Sequence, residues 1–220
     1  QVGQTDAAEA VFTAVGREAP GSATAQRGLG LCALARGEVR AAWEQLGRAV
    51  REHPHDVETI QAYIEAAAAA DELDASGRVL QELLRDEPDN DALLDGLVLL
   101  YRRQGGGWLA ATRLAELADS APRQGLIALT AARELASAGR RNEAAALYER
   151  LARGSQYTTA ARVGLCHVLL AEQRYPELLA ALTRLTGPQA IGAEPYRLLL
   201  AVRGELALQQ IGLGLDIETG

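Results

Sequence analysis

The segment of this chain closest to a metal site is His53-Pro54-His55-Asp56. A zinc site takes neutral imidazoles, thiolates or carboxylates in a tetrahedral set of four, and this segment offers two imidazoles and one carboxylate. It reads better as a turn, with Asp56 capping the free N–H groups of a following helix. Cys166-His167 pairs a nucleophile with a base in sequence. Neighbours on a helix point about 100° apart, which places them poorly for proton exchange. Core packing for the cysteine and surface exposure for His167 is the simpler expectation. Gly105-Gly106-Gly107 has the look of a phosphate-binding loop, but no strand precedes it and no Gly-Lys-Ser/Thr ending follows. A turn between two helices is expected there. Asp86-Glu87 and Asp89-Asn90-Asp91 flank Pro88 and are expected to be solvated turn residues beside helix ends, where acids suit an N-terminal dipole. No Ser-His-Asp set, dinucleotide fingerprint or metalloprotease motif is evident. The residues therefore point to no catalytic, cofactor or metal site, and the region is read as non-enzymatic.

The elements that would carry such residues are legible from spacing. Pro20, Pro54, Pro88 and Pro122 stand 34 residues apart, with no insertion between them. Between Ala23 and Pro54 lie two helix-length patterns separated by Gly37, with Leu29, Gly30 and Ala33 on one face of the first and Ala42, Leu46 and Ala49 on one face of the second. One such hairpin cannot bury its own apolar faces, so the unit recurs. Full repeats are expected at 23–54, 57–88, 91–122, 125–156 and 159–190, after a half repeat at 3–20 in which Ala8, Phe12 and Val15 take the second-helix positions. The register gives Ser76, Leu80 and Leu83, then Ala110, Leu114 and Leu117, then Ala144, Tyr148 and Leu151, and finally Leu178, Leu182 and Leu185. Terminal capping helices are expected at 193–211 and an irregular tail at 212–220. Opening in mid-repeat suggests a piece of a longer protein.

Composition agrees with an all-α chain. Of 220 residues one is Phe, two are Trp and none is Met, while Ala and Leu, both strong helix formers, dominate the apolar set. The net charge of −7 argues against a non-specific nucleic-acid binder, which would carry a basic excess. Every one of the 22 basic residues is Arg. Cys32 and Cys166 fall in first helices four repeats apart, beyond disulfide reach, and are expected to be reduced and buried. No apolar run is long enough for a membrane-spanning helix.

A 34-residue helix–turn–helix unit with Leu29, Gly30, Ala33, Ala42, Leu46, Ala49 and Pro54 in these places resembles the tetratricopeptide repeat (TPR). Gln26, Ile60 and Leu94 stand where that family often has Trp. The resemblance covers roughly residues 3–190. It implies an all-α, right-handed α-solenoid whose first helices line a concave groove. The residues it would place there are Arg27, Glu58, Gln61, Glu65, Asp95, Arg102, Arg133 and His167. The first half of this groove mixes acids with Arg, and Arg gathers towards the second half. The Lys/Asn set with which some members grip a C-terminal carboxylate is absent, since Arg27 and Leu31, then Gln61 and Glu65, occupy those places.

The functional expectation is a non-catalytic scaffold that binds a peptide or partner protein in this groove, with no cofactor, no nucleic acid and no direct membrane insertion. Self-association through the open repeat edges is a second partner class. Two further roles stay open: an assembly subunit of a bacterial envelope, secretion or polysaccharide-export complex, and an accessory domain of a larger enzyme. The compartment is open between cytoplasm and, for a piece of an envelope protein, periplasm.

Overall fold

In a computed structural model, residues 2–154 and 156–185 are described, and they form helices joined by short turns. The order is α1 (Val2–Glu18), α2 (Ala23–Ala35), α3 (Val39–Glu52), α4 (Val57–Ala69), α5 (Leu73–Asp86), α6 (Asp91–Ser120), α7 (Gly125–Ser137), α8 (Arg141–Ala152), α9 (Thr158–Ala171) and α10 (Tyr175–Leu185). The first helices α2, α4, α6 and α7 start at residues 23, 57, 91 and 125, and the second helices α3, α5, α8 and α10 at 39, 73, 141 and 175. The 34-residue period of the sequence is therefore the period of the backbone. The expected capping helices at 193–211, the tail at 212–220 and the last repeat beyond Leu185 lie outside the described residues.

Why each hairpin turns where it does follows from one backbone position. Gly37, Asp71, Gly139 and Gln173, in register with one another, all have positive φ (79°, 59°, 79° and 56°). A left-handed residue just past a helix lets the next N–H reach back to a carbonyl of the last turn. Glu38, Glu72, Arg140 and Arg174 donate in this way to the carbonyls of Ala33, Ala67, Leu135 and Leu169, at 2.8–3.0 Å. In α6 the break falls one residue late, with Gly105 extended (φ −163°) and Gly106 carrying the positive φ (75°), so α6 is two helices meeting at the expected glycine turn.

The helices gather into two compact units, Gln1–Arg113 and Leu114–Gly220. In the first, α1 lies on α2, α2 on α3 and α4, and α4 on α5; in the second, α7 lies on α8 and α9, and α9 on α10. Burial follows the repeat. Ala42, Ser76, Ala110, Ala144 and Leu178, one per second helix, are all 0% exposed, as are Leu46, Leu80 and Leu114 four residues on. A small side chain followed one turn later by Leu lets a neighbouring helix close in and still fills the space between them. Both cysteines are buried and unbridged.

Four sequence expectations need correction. Asp56 opens α4 but makes no side-chain cap. Its carboxylate is taken by the Thr59 hydroxyl (2.5 Å) and by Arg27 (2.9 Å), both of which donate to it. Asn90 is not a solvated turn residue but is buried at the start of α6. Its Oδ1 accepts from the Leu93 N–H (3.1 Å), and its Nδ2 donates to the Pro54 carbonyl (3.1 Å) and to Glu87 (2.7 Å), tying one inter-repeat turn to the next. Leu29 is only half-buried, because Gly28 and Gly30 face the core on either side of it. Val15 is 37% exposed where its counterpart Ala49 is 1%, since among the described helices α1 packs only on α2.

Candidate interaction surface

In the first unit, the charged residues expected on the first helices are partly spent on one another. Arg27 on α2 is largely covered and lies 2.9 Å from Asp56 and 2.5 Å from Glu58. Glu65 on α4 is 3.8 Å from Arg103. Gln61, Asp95 and Arg102 are exposed. Arg27, Gln61 and Asp95 share one register position, so the repeat returns them to equivalent places on α2, α4 and α6. This surface carries both signs and has internal ion pairs.

The second unit differs. Arg133 on α7 and His167 on α9, again one register position 34 residues apart, are both exposed and both border a cavity of about 530 Å³. Ala136 adds to the α7 wall, and α8 supplies Arg141 and Tyr148. From α9 come Ala160, Val163 and Gly164, then Val168 and Ala171, the positions of one helical face. The space exists because the walls are small. Gly164 packs against the hydroxyl end of Tyr148, so a β-carbon there would run into that ring. Burial pushes the Tyr148 phenol up from its ordinary range, and the nearby Arg133 charge opposes that rise. Arg133 and Tyr148 thus border the same cavity closely enough for the charge of one to act on the other. Among the described residues no carboxylate pairs with Arg133, while Arg141 is held at 3.4 Å by Glu172.

Two arginines and a histidine, and no carboxylate, line this cavity among the described residues. A second cavity in the same unit, of about 390 Å³, mixes Glu149 and Glu177 with Arg153 and Arg162. The charged side chains lining the first are thus all basic, in a chain whose net charge is −7.

The other candidate groups stay apart. Cys166 is fully buried with its thiol pushed up to about 11 by desolvation, while its neighbour His167 faces outward. His55 lies 3.1 Å from Glu87 of the next inter-repeat turn, and among the described residues no cluster of three or more His, Cys, Asp or Glu converges as a metal site would require. No helix among them is long and apolar enough to cross a membrane.

Sequence reasoning placed Tyr148 in the second-helix register but missed it, with Arg141 and Gly164, as cavity lining. The last had a signal: Gly28, Gly96 and Gly164 recur 68 residues apart, each packed under a large side chain (Phe12, Ile60 and Tyr148).

Helical hairpins on a 34-residue period, with a small buried residue and a Leu in each second helix, make this an all-α, tetratricopeptide-like repeat chain. Solved structures similar to it include YrrB, described as a TPR protein with an unusual peptide-binding site (13% identity over 84% of this chain and 96% of that one, TM-score 0.45). A tetratricopeptide repeat protein from Parabacteroides merdae is 16% identical over 95% of this chain and 81% of that one (TM-score 0.44). A thermophilic TPR protein of Thermus thermophilus is 22% identical over 84% of this chain and all of that one (TM-score 0.43). No protein-family model matches the chain, and no curated protein does.

Proposed function

We propose that this chain is a non-catalytic protein-interaction scaffold, engaging a peptide or partner protein through the exposed face of its first helices. The observation that carries this is the convergence of Arg133 and His167, two residues one repeat apart, on the rim of one apolar-walled cavity. Extended partners suit such a surface, because equivalent side chains return at a fixed spacing along it. The separation of the buried Cys166 thiol from His167 supports a role in binding over one in catalysis.

The test starts from a partner captured with the intact chain as bait and then purified. Arg133→Glu should weaken that complex more than Arg150→Glu. Arg150 lies on α8, a second helix, and pairs with Asp119 at 3.4 Å. Equal losses, or none, would remove the first-helix face as the binding surface. Assembly through the α1 edge is the second reading, supported by Val11 (60% exposed) and Val15 side by side on that helix. Sedimentation in which Val11→Glu converts a dimer to a monomer would favour it.

A further inference from the structure

Resting on the scaffold reading, we infer that the cavity bounded by α7, α8 and α9 takes an apolar side chain of a partner peptide flanked by Asp or Glu. The floor and walls set the first half of that specificity. Tyr148, Val163 and Ala136 offer apolar surface without a hydroxyl or amide inside the rim other than the Tyr148 phenol itself. At about 530 Å³ the space holds more than one side chain, so the peptide enters with some backbone and its flanking residues stay at the mouth. Filling it removes apolar area from water on both partners.

The mouth sets the second half. Arg133 and Arg141 present planar guanidinium groups, which take carboxylates in a two-point geometry that an ammonium lacks. Glu172 already occupies one side of Arg141, so Arg133 is the principal partner for an incoming carboxylate. These rim charges act mainly on encounter and register, while the apolar insertion holds the complex. An acidic flank is also kept off the rest of the molecule, whose net charge is −7. A nucleic-acid strand has the charge but would meet that same repulsion along its length.

The experiment uses fluorescein-labelled nonapeptides, each with a central leucine and flanked by glutamate, serine or lysine. All are amidated at the C-terminus, so that only side-chain carboxylates are present. Binding to the full chain is followed by anisotropy. The glutamate series should bind at least about tenfold tighter than the serine series, and the lysine series weakest. Arg133→Glu should abolish the glutamate preference. Ala171→Phe, at an exposed position on the cavity's edge, should weaken all series together while leaving the thermal melt unchanged. Equal binding of glutamate and serine peptides, or glutamate binding indifferent to both substitutions, overturns the inference and leaves the scaffold reading to its own partner test. Binding by none of the peptides overturns it as well. A labelled oligonucleotide that competes with the glutamate peptide through Arg133 would replace the peptide with a nucleic acid.

Discussion

Replacing a helical glycine by alanine changes two quantities at once, and two glycines of the first unit separate them. Both Gly77, in α5, and Gly96, in α6, are buried in helix interiors. The propensity gain is therefore the same for each, about 1 kcal/mol. The surroundings are not the same. A β-carbon on Gly77 would meet Leu100 Cδ2 at 3.4 Å and Tyr101 Cε1 at 3.9 Å, which is ordinary contact. On Gly96 it would stand 2.5 Å from Ile60 Cγ2, with Leu80 and Ile64 methyls at 3.7 and 3.8 Å behind. Ile60 is 1% exposed, and as a β-branched residue in a helix it has one strongly preferred rotamer. Its methyl cannot swing aside, so α4 and α6 must separate. Overpacking of this kind costs about 1–3 kcal/mol. Gly77→Ala should therefore stabilise by up to about 1 kcal/mol, and Gly96→Ala should lose up to about 2 kcal/mol net. For a chain of this length that is a Tm rise of about 2–4 °C against a fall of up to about twice that. Denaturant and thermal melts of both variants measure it. Equal stabilisation by the two would refute the close approach of α4 and α6 at this point.

Two further outcomes follow from the described contacts. Ser76→Ala should destabilise by about 1–2 kcal/mol, although alanine fills the equivalent positions 42, 110 and 144. The half-buried Trp43 Nε1–H donates to the buried Ser76 Oγ at 2.8 Å, so removing the hydroxyl strands that donor; an unchanged urea midpoint and Trp43 emission would count against it. The Cys166 thiol, pushed up to about 11 by burial, would be only about one part in a thousand thiolate at pH 8, against roughly a quarter for a free thiol. Labelling with a disulfide reagent should accordingly be at least about 200-fold slower than in denaturant, and prompt reaction of the folded chain would show that the thiol is open to solvent.

The period was written in the chain because each hairpin needs the same three things: a stop, a turn and a small residue where helices cross. Proline spacing fixed where the pairs begin, and the Ala42 column fixed what each second helix buries. Individual partners were harder to read. Asp56 has the residue type of a cap, but Arg27, 29 positions earlier, holds its carboxylate instead. Asn90 stands among acids and proline, the usual company of an exposed turn, and its bond to the distant Pro54 carbonyl could not be read from its neighbours. The cavity needed three helices in place before Arg133, Arg141 and His167 could be seen to share a rim. Gly105 and Gly106 announced a turn, yet their one-residue delay relative to Gly37 and Gly139 is a matter of backbone angles, which residue type alone does not fix.

The glycines at 28, 96 and 164 also govern how this chain could change by recombination. Sixteen residues before each junction position stands the large residue of the preceding second helix: Phe12 before Gly28, Leu46 before Ala62, Leu80 before Gly96, Leu114 before Thr130 and Tyr148 before Gly164. Where that residue is aromatic, its successor is glycine. The modules look alike but are size-matched to their neighbours. Excising one 34-residue block after Phe12 would seat Ala62 where Gly28 had been, with a methyl forced into the ring. Excising two such blocks would seat Gly96 there and leave the junction open. Gain or loss of hairpins at the Phe12 end is thus easier in pairs than singly, and the array has a directional order that its uniform period conceals.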